Sequence, residues 1–433
     1  MKRLTKYLYV LSFDGLSTLD FNYISTLPNF KSYIEKAAYS KQVYSVYPSL
    51  TYPAHATIVT GKYPKNHGVI NNTLLQINRK SPDWYWQRKY IKGETLYDLA
   101  IDKGIKVAAL LWPVTGKSRI QYNLPEIFAN RPWQNQIFVS LMNGSPMYQY
   151  ILNKKFGYLR RGLKQPYLDN FVHASLLNTI EEKDQELVLV HYTDLDTMRH
   201  HHGFYSEEAR EALERLDQKL GDIINAMKDK CIYEESTLVV LGDHSSLDED
   251  KIINLNVLLK EKGYINVKNT NIIDYKAIAK SCDGSAYLYV KEDKLIEELK
   301  ELLYDFNEQE ECIENIYSRQ DAEKLGADPK CAMLIEAKKG FYFLDEAEGT
   351  VIKQIQPGEA GRLPEVTAAT HGYSPLKENY TTVFMASGKG INKGNIIEKM
   401  NLVDEGPTLA ALLGIQFKEC DGKVLKEFIQ LDL

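Results

Sequence analysis

Apolar and polar positions along this chain follow two periods, and each period predicts a different kind of element. Short apolar runs are typical of buried strands, and they occur at 7–13, 41–47, 106–112, 186–192, 237–241 and 381–386. Longer segments with apolar residues every three or four positions predict helices at 28–38, 94–103 and 206–228. Because strands alternate with helices, we expect an α/β fold with a central, mostly parallel sheet and helices on both faces.

The pattern changes between residues 251 and 365, where a smaller unit interrupts the main one. This stretch predicts a strand at 285–290, a helix at 293–306, and strands near 332–336 and 340–344. The strand at 381–386 then returns to the main sheet. We therefore expect a core formed by residues 1–250 and 366–433, with a smaller inserted α+β cap at 251–365.

The composition is that of a folded globular chain and narrows the choice of partners. The 433 residues are 44% apolar and 26% charged, with a net charge of −5 at pH 7. This balance argues against a nucleic-acid polymer or a membrane as partner. No run approaches the roughly 20 apolar residues of a membrane span, and the N-terminal apolar run predicts a strand rather than a signal peptide. The five cysteines are widely spaced, so we expect reduced thiols and a cytoplasmic protein.

Acidic and histidine residues follow two of the predicted strands. Asp14 comes directly after the strand at 7–13, and Asp243 with His244 follows the strand at 237–241. Ligands of open α/β sheets gather beyond the carboxyl ends of the strands. A carboxylate and an imidazole at such an end could bind one cation. Taken alone, an aspartate before glycine is more often a turn residue.

Thr51 is the candidate nucleophile. Pro53 follows it closely, and proline favours the first turn of a helix, so Thr51 is expected near a helix N-terminus. Backbone N–H groups and the helix dipole favour an anion there. Coordination to a metal would lower the pKa of the hydroxyl and activate it. A plain N-cap threonine is the alternative, and His55 and His67 are interpreted as structural residues.

A further motif, TDLDTMRHHHG at 193–203, places a carboxylate and an imidazole four residues apart. On a helix, Asp196 and His200 would share one face and could bind one zinc-like ion. The three consecutive histidines at 200–202 and the competing Asp194 leave the choice of ligands open. A solvated polar loop is the competing interpretation. His371 lies in the motif THGY, far from the other motifs in sequence.

The ordered set of motifs resembles the type I phosphodiesterase/nucleotide pyrophosphatase family, which belongs to the alkaline phosphatase superfamily. The resemblance lies in SFDG at 12–15, P-S-x-T-x-P-x-H-x-T-x-x-T-G-x-Y-P-x-x-H-G at 48–68 and D-x-x-x-H-x-x-G at 196–203. DH at 243–244, HGY at 371–373 and the closing VDEGPTLAALLGI at 403–415 follow in order. The matches cover the predicted core and leave the cap uncovered. The resemblance therefore implies an alkaline-phosphatase-like fold.

The resemblance also implies a hydrolase with two divalent metal ions, for which zinc is the expected metal. The implied ligands of the first ion are Asp14, Thr51, Asp243 and His244. The implied ligands of the second ion are Asp196, His200 and His371. The family spacing selects Asp196, because Met198 stands where Asp194 would need a histidine. Thr51 would attack phosphorus and form a phosphothreonine intermediate, which water then releases.

Ala54 is a departure from the family pattern. The family usually has asparagine at this position, where it donates a hydrogen bond to a phosphoryl oxygen. Alanine cannot donate, and losing one such donor costs on the order of 3 kcal/mol of transition-state stabilisation. Asn71 or Asn72 is the expected substitute, and we take Asn72 as the candidate substrate-binding residue.

The expected function is hydrolysis of a phosphodiester or pyrophosphate bond in a small, nucleotide-like phosphoester. A phosphomonoesterase or phosphonate hydrolase of the same superfamily is one alternative. Another is a metal-binding receptor for a phosphorylated ligand without catalysis, which Ala54 alone favours. The Cys-x-Pro-x-Arg motif of sulfatases is absent from the sequence. The aromatic run at 84–86 could stack on a base, but core packing is its expected role.

Overall fold

The computed structural model describes residues 2–363 and 365–430, and its centre is an eight-stranded sheet. The first six strands are β1 Tyr7–Phe13, β2 Ala38–Tyr44, β3 Val107–Leu110, β4 Tyr122–Leu124, β5 Leu187–Tyr192 and β6 Ser236–Leu241. The next ten are β7 Leu247–Ile253, β8 Ile265–Lys268, β9 Asn271–Tyr275, β10 Ala277–Cys282, β11 Ser285–Val290, β12 Ile313–Ser318, β13 Met333–Ala337, β14 Gly340–Phe343, β15 Ile352–Gln354 and β16 Ala369–Thr370. The last two are β17 Thr382–Gly388 and β18 Met400–Asn401.

The helices flank this sheet and the smaller ones. In the first half of the chain they are α1 Phe21–Ile24, α2 Pro28–Ile34, α3 Thr51–Thr60, α4 Pro64–His67, α5 Leu96–Asp102, α6 Gln136–Asn143, α7 Pro146–Phe156, α8 Tyr167–Glu182 and α9 Asp194–His202. In the second half they are α10 Glu207–Asp229, α11 Leu255–Glu261, α12 Ile296–Glu310, α13 Arg319–Lys324 and α14 Glu405–Leu412.

The large sheet is mostly parallel, as the alternation of strands and helices predicts. Its order is β18-β2-β17-β6-β1-β5-β3-β4. β1 pairs in parallel with both β5 and β6, and β3 pairs in parallel with β4 and β5. Within this sheet β17 runs against both of its neighbours, β2 and β6. The carboxyl ends of the five parallel strands β6, β1, β5, β3 and β4 therefore all lie at one edge.

Both faces of the sheet are covered by helices, which confirms that prediction too. Alternate residues of β1 point to opposite faces. Leu8 and Val10 belong to an apolar cluster with residues of α3, α5 and α14. Tyr9 and Leu11 belong to a second cluster with residues of α2, α8 and α10. A sheet buried on both faces explains why its strands appear in the sequence as nearly continuous apolar runs.

The strands β7–β16 form smaller sheets outside the large one. β10-β11-β13-β12 make one sheet, β14-β7-β15 make another, and β8 pairs with β9. β16 pairs with β7, with Ala369 opposite Asp248, so this part of the chain begins and ends side by side. The boundaries of an inserted cap at 251–365 stay a prediction, and this return of the chain gives them a physical basis.

Two predicted elements differ from the observed ones near functional segments. The strand predicted at 41–47 lies at Ala38–Tyr44, because the chain leaves the sheet at Ser45. The Ser45 hydroxyl donates to the Asp243 carbonyl at 2.6 Å, which directs the following segment toward Thr51. The helix predicted at 28–38 ends at Ile34, because Ala38 already starts β2.

Among the described residues, none of the helices combines the length and the apolar character needed to span a bilayer. The five cysteines are free thiols, with Cys282, Cys312 and Cys331 buried and Cys231 and Cys420 exposed. A cytoplasmic location stays a prediction.

Candidate metal centre

The carboxyl ends of β1 and β6 lie side by side at one edge of the sheet. Ser12 of β1 lies opposite Leu241 of β6 in the parallel register. Asp14 leaves β1 at this edge, with its N–H donating to the Tyr192 carbonyl of β5 at 2.9 Å. Asp243 follows β6 at the same edge. Parallel pairing alone therefore brings the motifs at 12–15 and 241–244 together.

Asp14, Asp243 and His244 form the first group of candidate ligands, with ligand atoms within 4.8 Å of one another. The His244 Nε2 is 3.2 Å from Asp14 Oδ1 and 3.3 Å from Asp243 Oδ2. Its Nδ1 donates to the Ser245 carbonyl at 3.2 Å. Because the ring donates through Nδ1, its neutral form turns the Nε2 lone pair toward the two carboxylates. This arrangement suits a bound cation.

Thr51 begins helix α3 directly beside this first group. Leu50 is in an extended conformation, and the helix runs from Thr51 until Gly61, whose φ of 64° closes it in the left-handed region. The Thr51 Oγ1 lies 3.2 Å from His244 Nε2. The side chain also lines the large cavity described below. The prediction that Thr51 lies at a helix N-terminus is confirmed.

Asp196, His200 and His371 form the second group, again with ligand atoms within 4.8 Å. Asp196 and His200 lie one turn apart on α9, and His200 Nε2 is 3.0 Å from Asp196 Oδ2. The His200 Nδ1 donates to the Ala369 carbonyl at 2.8 Å, which again leaves Nε2 for the carboxylate. His371 follows β16, with Nε2 4.0 Å from Asp196 Oδ1. The neighbouring Asp194 instead pairs with Arg215 at 2.7 Å.

The two groups are in contact through their histidines. The rings of His244 and His371 have centroids 4.0 Å apart, and those of His200 and His371 are 5.1 Å apart. His371 therefore joins a group built at the ends of β1 and β6 to one built on α9. The seven residues singled out in the sequence all lie in this one region.

Buried carboxylate oxygens in both groups lack hydrogen-bond donors. Asp14 Oδ1, Asp196 Oδ1 and Asp243 Oδ2 are buried and accept no hydrogen bond. An unpaired buried carboxylate costs several kcal/mol unless a positive charge lies next to it. Oxygen atoms combined with imidazole Nε2 atoms match the ligand preference of zinc. These residues therefore fit two divalent cations, one for each group.

The pKa values of these residues show that the buried carboxylates favour protons on themselves and on the neighbouring imidazoles. Burial, followed by the charge of Asp14, raises the pKa of Asp243 to about 7. Burial lowers the pKa of His200, but Asp196 more than offsets this, so that the pKa rises to about 10. The pKa of His244 rises to about 9 in the same way, because Asp243 and Asp14 outweigh its burial. Cations bound here would replace these protons.

His191 and Glu126 support the first group and were missed in the sequence. His191 lies in β5, with Nε2 3.1 Å from Asp14 Oδ2 and Nδ1 3.1 Å from Glu126 Oε2. Burial lowers the pKa of His191, but Asp14 and Glu126 raise it well above its usual range. The charged His191 ring thus forms an ion pair with Asp14 Oδ2. A histidine at the end of an otherwise apolar strand, LVLVHY, was the available signal.

His55 lies close to the same cluster, yet its hydrogen bonds make it structural. Its atoms, with those of His191 and Asp243, could in principle form a third group of metal ligands. The His55 Nδ1, however, donates to the Thr51 carbonyl at 2.7 Å, and Nε2 lies 2.9 Å from the Ser12 hydroxyl. Neither nitrogen is left free for a cation. Its interpretation as a structural residue agrees with these contacts.

A cavity of about 670 Å³ opens above both groups. Thr51, Asp14 and the three residues of the second group line it, whereas Asp243 and His244 are fully buried beneath. Its polar wall includes Asn71, Asn72, Thr73, Lys280 and Asp283. Its apolar wall includes Trp84, Leu124, Ile127, Phe128 and Phe171. The cavity is large enough for a ligand of nucleotide size.

Asn72, rather than the residue at position 54, offers a donor to this cavity. The Tyr52 N–H donates to Asn72 Oδ1 at 2.9 Å, which fixes the amide orientation. No hydrogen bond within the described residues uses the Asn72 Nδ2, so it can donate to a ligand. Ala54 is fully buried in the apolar cluster beside α3. The expectation that Ala54 leaves a gap in the phosphoryl site is wrong, because its side chain faces the core.

The aromatic run at 84–86 is only partly core. Trp86 is buried in the apolar cluster, as predicted. Trp84 packs against the same cluster but also lines the cavity. Its ring lies edge-on to Tyr52 at 5.2 Å and to Phe128 at 5.3 Å between centroids. The prediction of core packing therefore fails for the cavity-facing part of Trp84.

The family model for type I phosphodiesterase/nucleotide pyrophosphatase matches residues 8–408. The chain belongs to this family. A curated relative, venom phosphodiesterase 2 of Crotalus adamanteus, is 21% identical over 411 residues, covering 91% of the chain and 44% of the relative. A bis(5'-adenosyl)-triphosphatase of Bos taurus is 23% identical over 305 residues, covering 66% of the chain and 60% of the relative.

Solved structures of this family have the same fold. Human ectonucleotide pyrophosphatase/phosphodiesterase 5 aligns with a TM-score of 0.65 at 20% identity, covering 96% of the chain and 97% of the other. An inactive variant of the murine protein, in complex with AMP, aligns with a TM-score of 0.64 at 19% identity, covering 97% of each chain. The predicted alkaline-phosphatase-like fold is confirmed. The chain spans less than half the length of the venom phosphodiesterases that it matches, at 44% and 41%.

Zinc loading should give about two bound ions per chain, because each ligand group can hold one. The double variant Asp196→Asn/His200→Gln removes two ligands of the second group and should reduce this to about one. His201→Gln is the matched control, since His201 is exposed on the same helix. Elemental analysis after gel filtration measures the content. Equal zinc loss in control and double variant would contradict the assignment.

Ala54→Asn should destabilise the protein without raising its activity. The amide would enter an apolar cluster, where unsatisfied polar groups cost about 1–3 kcal/mol. Urea unfolding measures the free energy of unfolding, and a phosphodiester assay measures turnover. Higher turnover in the variant would show that position 54 contacts the substrate after all.

Proposed function

We propose that this chain hydrolyses a phosphodiester or pyrophosphate bond in a small, nucleotide-like substrate, using Thr51 as the nucleophile. The observation that carries the proposal is the position of the Thr51 hydroxyl. It lies at the first residue of a helix, 3.2 Å from His244 Nε2, and faces the cavity. A nucleophile placed between a ligand cluster and an open cavity can reach a phosphorus atom bound above it.

In this proposal two divalent cations, for which zinc is the expected metal, would be held by the two ligand groups. The ligands of the first are Asp14, Thr51, Asp243 and His244. Those of the second are Asp196, His200 and His371. Bound there, the two ions would neutralise phosphoryl charge and lower the pKa of the Thr51 hydroxyl. The donor set and its unpaired carboxylate oxygens support this assignment.

The reaction then proceeds through a covalent intermediate on Thr51. Its oxygen forms a bond to phosphorus as the bond to the leaving oxygen breaks, and the hydroxyl proton is released. Water next attacks the phosphothreonine, the Thr51–phosphorus bond breaks, and the hydroxyl is restored. His191 and Glu126 keep Asp14 in place through both steps.

Two features of α3 and its surroundings would hold the phosphoryl group. The N-terminus of a helix favours negative charge, and Thr51 occupies that position on the ten-residue helix. The Asn72 Nδ2 offers a donor from the cavity wall, since Oδ1 is already used by Tyr52 N–H. Together they supply polar contacts without any contribution from position 54.

The shape and lining of the cavity support a nucleotide-like substrate. Trp84 and Phe128, whose rings are in contact, provide an apolar, aromatic wall suited to a base in the cavity that the charged ligand groups also line. The murine ectonucleotide pyrophosphatase/phosphodiesterase 5 variant is described with AMP bound.

A nucleic-acid polymer is not proposed as a partner, because the chain carries a net charge of −5. A cytoplasmic location is proposed on the basis of the free cysteines.

The alternatives differ in what they require of the cavity. The non-catalytic receptor rested on Ala54, and that residue lies in the core. A phosphomonoesterase or phosphonate hydrolase would use the same ligands and nucleophile, but would make no use of the aromatic wall. Substrate comparison therefore separates these functions.

Thr51→Ala should lower turnover at least about 1000-fold, because the covalent step loses its nucleophile. Thr51→Ser is the matched control, since it keeps the hydroxyl and should retain measurable activity. Both variants should keep the melting temperature close to that of the parent chain. Burst kinetics and mass spectrometry of acid-quenched enzyme measure the phosphorylated intermediate. Turnover by Thr51→Ala at the parental rate would refute the mechanism.

The aromatic wall of the cavity should give substrates that carry a nucleobase a higher kcat/KM than substrates that lack one. An aryl ester of a nucleoside monophosphate should have a higher kcat/KM than a simple aryl phosphodiester, and both should exceed an aryl phosphomonoester. Phe128→Ala should reduce the ratio of kcat/KM for the nucleotide ester to that for the simple diester by about tenfold. Stacking of a base on one aromatic ring is worth about 1–3 kcal/mol. A preference for the monoester would favour the phosphomonoesterase instead.

A further inference from the structure

Residues 127–168 carry a charge pattern opposite to that of the whole chain. They contain six lysines and arginines and no aspartate or glutamate, in a protein whose net charge is −5. The segment comprises α6, α7, the loop at 157–164 and the start of α8. We call the surface formed by residues 131–164, which include α6, α7 and the loop at 157–164, the basic face.

The basic face is also the most apolar part of the surface. Among the residues that the structure describes, eight of the sixteen large hydrophobic side chains that are exposed lie between positions 133 and 163. On α6, Ile137, Phe138 and Met142 are exposed on one side of the helix. On α7, Met147 and Tyr150 are exposed three residues apart. Contiguous exposed apolar surface marks an interaction site rather than ordinary solvent-facing surface.

The parts of the basic face contact one another and form a continuous surface. Ser140 of α6 donates to Gln149 Oε1 of α7 at 2.6 Å, and Gln149 Nε2 donates back to the Ser140 carbonyl at 3.0 Å. Arg160 in the loop donates to Asn153 of α7, and its guanidinium lies 4.6 Å from the centroid of the Phe171 ring. The two helices that carry the exposed apolar side chains and the basic loop are therefore packed against one another.

Most of the positive charge on this face is uncompensated. Arg131 pairs with Asp83, and Lys155 pairs with Glu182. In the described parts of the chain, the remaining four basic residues form no ion pair, namely Lys154, Arg160, Arg161 and Lys164. Unpaired cations in the same segment as exposed aromatic and aliphatic side chains suit a partner with both negative charge and an apolar layer.

We propose that the basic face binds an anionic lipid bilayer as a peripheral membrane surface. Tryptophan, phenylalanine and methionine side chains would enter the headgroup region, while lysine and arginine would meet lipid phosphates. The long basic side chains can bury their stems and still keep their charges at the interface. This reverses the expectation from net charge, because the charge is segregated rather than evenly spread.

The position of the basic face places the cavity at the bilayer surface. Gln136 and Ser140 of α6, and Arg160 and Leu163 of the loop, line the cavity. The bilayer would thus lie beside the mouth of the proposed catalytic site. The lipid-binding inference stands on the charge and exposure of the basic face and does not depend on catalysis.

Vesicle binding by the full chain tests the proposal. The chain should sediment with phosphatidylcholine vesicles that contain about 30% phosphatidylserine, and should stay in the supernatant with pure phosphatidylcholine. Arg161→Gln/Lys164→Gln should lower the partition coefficient about 25-fold, since each basic residue near an anionic surface contributes about fivefold. Neither residue lines the cavity, and the melting temperature should not change.

A fluorescence signal locates the contact on the basic face. Trp133 is 80% exposed, whereas Trp86 and Trp112 are buried. Tryptophan emission should shift to shorter wavelength with anionic vesicles, and brominated lipid should quench it. Trp133→Phe should remove the shift. Phe138→Ser should also weaken binding at least about tenfold, through the lost apolar contact.

Matched controls come from another exposed segment with similar residues. Ile396 is exposed between Lys393 and Lys399, so Lys393→Gln/Lys399→Gln and Ile396→Ser should bind vesicles as the parent chain does. Three results would overturn the proposal: no binding to anionic vesicles, equal binding to neutral ones, or equal loss in these controls. A dimer that Phe138→Ser dissociates, without vesicle binding, would assign the face to a second copy of the chain.

Discussion

Buried negative charge at the carboxyl edge of the sheet is the constraint on which the rest of the structure depends. Asp14 and Asp243 leave neighbouring parallel strands, and Asp196 approaches them from α9, so their carboxylates repel one another away from water. Charges of this kind persist in a protein only beside positive partners. The imidazoles of His200 and His244 lie within 3.3 Å of these oxygens. The fold that places these carboxylates together therefore also has to place positive charge beside them.

The residues that hold the candidate ligands in place come from parts of the chain that are far apart in sequence. His191 and Glu126 hold the outer side of Asp14, and the Gly15 N–H donates to Asp243 Oδ1 at 3.1 Å. His371 arrives where β16 pairs with β7, at the return of the chain from its smaller sheets. Several elements must be in register before the candidate ligands converge, so correct folding and a complete site are linked. Supporting residues of this kind fix the orientation of metal ligands.

Segregation of charge extends from the site to the surface. The ligand groups concentrate carboxylates and imidazoles in the interior, while residues 127–168 carry only positive charges among their ionised side chains. The cavity lies between these regions and is lined by both. A net charge of −5 describes neither of them, and the local distribution is what a ligand or a bilayer meets.

The α/β class and the strand that leads to Asp14 could be predicted from apolar runs along the chain. The set of seven candidate ligands needed the family resemblance as well, because spacing alone left the choice between Asp194 and Asp196, and among the histidines at 200–202, open. Other features depend on contacts between elements that are distant in sequence. His191 and Glu126 have no sequence motif, because their roles arise from contacts between β5, β1 and a loop. The direction of Ala54 was likewise invisible, since only packing shows which side of α3 faces the core and which faces the cavity.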